Sequence, residues 1–512
     1  MFDANQHIIH IVDGRLSPKS KTSRDDLGRI VTQALAANAP SGIVLHFHGG
    51  LVSESSARES AEKRLYPLYA ERAKAYPIFF VWESGFFEAP INNLGEIAQE
   101  KLFQEFMKKV AEWVLKKLPT AAGFKGGGGA SVDEPKLRAD FDAWFSGQRS
   151  TPPEQLETLP GTTSVGLAAK TKGVTLDEQD LAADIEESIA GDANFQDALQ
   201  AVYNGLHADG QPHPTTRGVG TSVSAKSLVS KEAADILFES VPNTTKGFGP
   251  IAWFKVAKAV ASIVIRVIRR FRKGRAHGMY VTLVEEVLRE LYLDKIGRIG
   301  WWDRMKMDTA DAFRDGEEYG GTALLAELKT RLEGMATPPK ITLIGHSTGA
   351  IYICNFLKAA AQRAPKLQCD VIFEAPAATH ALLAATAAEH GSRIRHFRQF
   401  GMCDEREASD VLIPLLYRSS LLYLVSGLLE GEPDEPLVGM ARYLEQADIY
   451  DADSFPNIES CRRFYARYPN SLVWSPSKAG LGLSSDGRRH GEFDDVDEQT
   501  MASVQHILQN GF

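Results

Sequence analysis

The chain has 512 residues, 44% hydrophobic and 24% charged, enough to bury a large core as one decorated domain or as two to three smaller ones. Its 66 acidic against 57 basic residues leave a net charge of -9, which argues against a nucleic-acid footprint spread over the whole surface. The four cysteines, Cys354, Cys369, Cys403 and Cys461, lie far apart without a CxxC pair, so neither a disulfide framework nor a zinc knuckle is expected.

The opening stretch, MFDANQHIIHIVDGR, lacks the basic and then apolar regions of a secretory signal, so the expectation is a cytoplasmic protein. Short apolar runs that read as strands follow along the chain: 7–12, 42–50, 76–85, 340–347, 369–376, 393–402 and 471–476. Between them, 56–75, 321–335 and 350–364 carry apolar residues at helical spacing. Alternation of strand and helix predicts an α/β fold, a mostly parallel central sheet flanked by helices.

The middle of the chain breaks this rhythm. From about Gly123 onward there are few strand patterns, a GGGG run at 126–129 and polar stretches such as 174–192, which read as loops and solvated helices. Three segments are therefore expected: 1–122 and 301–512 forming the sheet domain, and 123–300 a large, mainly helical insertion. Inside the insertion, 251–275 is apolar but interrupted by Lys255, Lys258 and Arg266, and it ends in a basic cluster. It is a poor membrane-spanning candidate. Two readings stay open: an amphipathic helix making peripheral contact with a membrane, or a buried helix with a basic C-terminal end.

The run KITLIGHSTGAIYICNFL, 340–357, places Ser347 between an apolar strand and a helix, with Gly345 and Gly349 two residues away on either side. A sharp strand-to-helix turn needs small residues there and exposes the serine as a nucleophile. The developing oxyanion needs backbone donors: Thr348, at the helix start, and Gly50 or Leu51 in the loop after HFHGG. His46 and His48 in that run also have the spacing of a metal pair, but no ligand cluster accompanies them, so no metal or cofactor is expected. A general base belongs after the last strand, where His490 lies in a loop before a terminal helix. Its orienting acid belongs at the end of 393–402, where Asp404 comes first and Glu405, Glu407 and Asp410 are rivals. The acidic group Asp494, Asp495, Asp497 and Glu498 is read as the favourable start of the terminal helix.

Together these residues resemble the α/β-hydrolase superfamily, with an HGG oxyanion loop and a GHSTG nucleophile elbow like those of lipases and esterases. The resemblance covers roughly 7–120 and 300–512. It implies a serine hydrolase with Ser347 as nucleophile, His490 as base and Asp404 as acid, cleaving a small-molecule or lipid carboxylic ester through an acyl-enzyme. The apolar runs 82–91 and 251–268 motivate an apolar substrate. The same triad would serve an amidase, peptidase or thioesterase, and a hydrolase-like fold that only binds is the rival of another class.

Overall fold

The computed structural model describes residues 2–16, 21–50, 52–83, 88–118, 132–157, 176–207, 227–238, 253–293 and 302–512. All seven expected strands form: β1 (Ile8–Val12), β2 (Ile43–Phe47), β3 (Tyr76–Glu83), β4 (Ile341–His346), β5 (Cys369–Glu374), β6 (Ile394–Met402) and β7 (Leu472–Ser475). They make one parallel sheet in the order β1-β3-β2-β4-β5-β6-β7. Burial on both faces accounts for strands that read as near-continuous apolar runs.

Alternation along each strand sends side chains to two different layers. On one face Val44, Phe79, Ile344, Ile372 and Phe400 pack with Ala57, Leu65, Leu68 and Tyr69 and with Val504, Ile507 and Leu508 of the terminal helix Glu498–Asn510. The helix that follows β2 starts at Glu54 as an α-helix and continues through two π-helical stretches, Ala61–Leu65 and Pro67–Arg72. On the opposite face Phe47 stacks on Tyr352 of the helix Gly349–Arg363, with ring centroids 4.8 Å apart.

The chain divides by its contacts into two units. The sheet unit comprises Met1–Phe87, Ile299–Asp410 and Ser419–Phe512, and the second comprises Glu88–Arg298 with Val411–Arg418. The boundaries expected at 122/123 and 300/301, and the GGGG run, lie outside the described residues. The described part of the second unit is helical and holds no strand.

Within the helical unit, Trp253–Arg272 is one helix whose apolar residues, Val256, Val260, Ile263, Val264 and Val267 among them, are buried. The helices Lys101–Lys117, Glu178–Ala190 and Met279–Leu291 pack against it. Residues 251 and 252 lie outside the described ones, and no described helix is long and apolar enough to cross a membrane. Of the interrupting cations, Arg266 bonds Glu286 at 2.8 Å and Glu290 at 2.7 Å, and in the basic end Arg270 bonds Glu285 at 2.6 Å.

Candidate active site

Strand order brings the two key loops together. β2 and β4 are neighbours, with Phe47 opposite Gly345, although Glu88–Arg298 of the helical unit separates them in sequence. The loop after β2 and the turn after β4 therefore open side by side at the carboxyl edge of the sheet, where open parallel sheets bind ligands.

Ser347 occupies the turn with φ of +54°, a left-handed conformation that costs a non-glycine residue energy and persists only where the surroundings impose it. Hydrogen bonds supply that constraint. The Ser347 N–H donates to the Glu374 carbonyl at 2.9 Å, and the Ser347 carbonyl accepts from Ala377 N–H at 3.0 Å. The flanking glycines are required by space: a Cβ on Gly345 would meet the Gly349 carbonyl at 2.7 Å, and one on Gly349 would overlap the Phe47 carbonyl oxygen.

After β7 the chain forms a small hairpin, Ser477–Lys478 against Ser484–Ser485, and then the loop that carries His490. Arg406 holds this loop: its guanidinium donates to the carbonyls of Asp486 at 2.8 Å and Gly487 at 2.9 Å and pairs with the Asp486 carboxylate at 2.7 Å. His490 Nε2 lies 2.9 Å from Ser347 Oγ, hydrogen-bond reach for base and nucleophile. Both residues are buried. Burial, with His346 beside it, drives the His490 imidazole well below its ordinary value, so the ring is neutral and able to accept a proton at pH 7.

The structure does not join the expected acid to the histidine by a hydrogen bond. Asp404 begins the helix Asp404–Ser409 after β6, but its Oδ1 accepts from the Tyr423 hydroxyl at 2.7 Å, and that hydroxyl accepts from Arg442 at 3.1 Å. The guanidinium of Arg442, which ends this chain of bonds, is buried. Of the four acidic residues weighed from sequence, the one bonded to His490 is Asp410, whose Oδ2 accepts from the His490 backbone N–H at 3.2 Å. Among the described residues the ring's Nδ1 has no hydrogen-bond partner.

A residue that sequence reasoning passed over lies within the elbow itself. His346 Nε2 is 3.0 Å from the His490 carbonyl, with the two rings 5.2 Å apart. A carbonyl only accepts, so His346 carries its proton on Nε2. The main chain of His490 is thus held at its N–H by Asp410 and at its carbonyl by His346. The pattern G-x-S-x-G leaves that x unconstrained, and its spacing carries no signal of the contact.

The expected oxyanion residues converge as far as they are described. Thr348 stands at the N-terminus of Gly349–Arg363, where a helix leaves its first N–H groups without helical acceptors. Gly50 lies against it, since a Cβ there would sit 2.8 Å from Thr348 Oγ1. Leu51 lies outside the described residues.

His46 and His48 are used separately. His46 Nδ1 meets the Tyr69 hydroxyl at 3.1 Å, whereas His48 Nε2 accepts from Trp82 N–H at 3.2 Å and its Nδ1 donates to Gly49 O at 2.7 Å. Burial pushes both down to about 4. Among the described residues no group of three or more His, Cys, Asp or Glu is arranged to hold a metal ion.

Comparison with known proteins adds no relative: no family model, no curated protein and no solved structure matches the chain.

Proposed function

We propose that the chain is a serine hydrolase of the α/β-hydrolase type that cleaves a carboxylic ester, with an apolar acyl or alcohol part, through an acyl-enzyme. The observation that carries the reading is the 2.9 Å contact between His490 Nε2 and Ser347 Oγ at a turn with φ of +54°. His490 takes the hydroxyl proton as Oγ attacks the carbonyl carbon, and the oxyanion gathers at the N–H groups of Thr348 and Gly50. The imidazolium then returns the proton to the departing alkoxide, and the acyl group stays on Ser347. A water, deprotonated by His490, attacks the acyl carbon and releases the acid and the free serine.

Asp410 is the acid we propose for orienting the histidine, in place of Asp404. It already bonds the histidine's main chain, and a turn of its side chain toward the unpartnered Nδ1 would complete a triad during the reaction; catalytic hydrogen bonds are often loose before substrate binds. The test is labelling by a fluorophosphonate probe in wild type, Ser347→Ala and His490→Ala. Labelling of wild type that is lost in both folded variants supports the reading. A folded wild type that takes no label sinks it and favours the binding-module alternative, which the unpartnered Nδ1 also supports.

A further inference from the structure

Behind the elbow, on the sheet face covered by the π-helical stretch and the terminal helix, lies a cavity of about 340 Å3. Its walls include Val52, Ala57, Leu65, Phe79 and Val81, and its polar end is made by His46, His346 and Asp494. The volume is at the small end of ligand pockets, roughly ten water-sized groups at about 30 Å3 each.

The polar end is chemically incomplete. His346 spends its Nε2 proton on the His490 carbonyl, so in the neutral ring Nδ1 is a bare acceptor. Among the described residues that atom is buried without a hydrogen-bond partner, and it faces a second acceptor, Asp494 Oδ2, at 3.4 Å. His46 Nε2, also buried and unpartnered, is 3.9 Å from the same oxygen. The Tyr69 hydroxyl on its Nδ1 both donates and accepts, so His46 can present Nε2 with or without a proton.

Among the described residues lining the cavity, Arg64 is the one Lys or Arg. Burial pushes His46 and His48 down to about 4, and burial together with Asp494 and Asp497 pushes the Glu374 carboxyl well above its ordinary value. At the cavity's rim, Arg64 is paired with Asp495, and Glu59 adds negative charge. Acceptors crowded around one carboxylate, at the end of an apolar slot, suit a ligand with several N–H donors and positive charge on an apolar body.

We propose that this cavity binds a primary ammonium group carried on a small apolar body, with its donors shared between Asp494 Oδ2 and His346 Nδ1. The site is independent of the hydrolase reading, and its test needs no turnover. Benzylammonium and benzyl alcohol, nearly equal in shape, are titrated by calorimetry into Ser347→Ala, and the imidazole nitrogen shifts of the protein are followed by NMR. The expected result is at least tenfold tighter binding of the ammonium, a loss of that preference in Asp494→Asn, and weakened binding of both compounds when Leu65→Phe narrows the slot. If Leu65→Phe fails to fold, Asp494→Asn with its NMR spectrum still decides. Equal affinity for the two compounds, a preference that survives Asp494→Asn, or no binding of benzylammonium at millimolar concentration would overturn the proposal.

Discussion

Two buried clusters, one in each unit, treat their charged and titratable groups in opposite ways. In the helical unit Glu285 is fully buried and bonds Arg270 at 2.6 Å, His277 at 2.8 Å and the Tyr417 hydroxyl at 2.6 Å. Glu286 beside it takes Arg266 at 2.8 Å and Arg289 at 2.8 Å. At the carboxyl edge of the sheet, by contrast, His490 Nδ1, His346 Nδ1, His46 Nε2 and Glu374 Oε2 are buried without hydrogen-bond partners among the described residues. A buried polar group without a partner is costly, so the first arrangement reads as scaffold and the second as a place where a substrate or ligand completes the bonding.

That contrast can be broken first at the acid. If Asp410 orients the base, Asp410→Asn should lower kcat/KM by about a hundredfold to ten-thousandfold, the range spanned by general-base contributions and by loss of a triad carboxylate. Asp404→Asn should change kcat/KM far less and act mainly on stability, through the Tyr423 and Arg442 contacts. Ester hydrolysis measured beside thermal melts separates the two. The opposite ranking would return the role to Asp404.

The scaffold side is tested at Glu285. Removing it as Glu285→Ala breaks the buried pair with Arg270, which keeps Glu286 at 3.2 Å, and takes the carboxylate from His277 and Tyr417; it should cost about 3–5 kcal/mol of unfolding free energy, read by denaturant titration. Burial alone would raise this carboxyl, but His277 and Arg270 hold it down to about 2 against an ordinary 4.5. Its charged form therefore stabilises the fold above pH 4.5, and that contribution is lost as pH falls from 4.5 through about 2. Wild type should unfold across this acid range, and the variant should show a flatter dependence there. An unchanged slope would mean that the buried pair does not govern acid stability.

Smaller effects sharpen the comparison at the elbow. Gly349→Ala places a methyl group on the Phe47 carbonyl, and overpacking of this kind costs about 1–3 kcal/mol. Activity should fall more than stability, because the strained turn cannot close around Ser347. The smallest effect is in the pH profile. Since burial drives His490 below 6.5, the acid limb of kcat/KM should have its midpoint below pH 6.5 and leave activity at neutral pH untouched. A midpoint at or above 6.5 would mean that water or a carboxylate reaches the ring.

Much of this arrangement was legible before any coordinates. The strands were readable because parallel strands buried on both faces leave continuous apolar runs, and the elbow because its glycines are required by main-chain clearance, a local constraint written in adjacent residues. Ser347 and His490 were assigned from their places after β4 and β7, and those places are set by chain order.

Which acidic residue meets His490, and the place of His346, were decided by tertiary structure. Asp404 opens a short helix and Asp410 follows its end, the same residue type six positions on, and what separates them is Tyr423, backed by Arg442, which arrives from a later part of the chain and bonds the first carboxylate. The apolar stripe of Trp253–Arg272 likewise permitted two readings, and what covers it is other helices of the same unit, which no local pattern names. Of the acidic group before the terminal helix, Asp497 caps it as expected, accepting from Gln499 N–H at 3.0 Å, while Asp494 turns inward to His346. Residue type and spacing determine what a side chain can do, but its partner is set by which distant segments the sheet order brings alongside it.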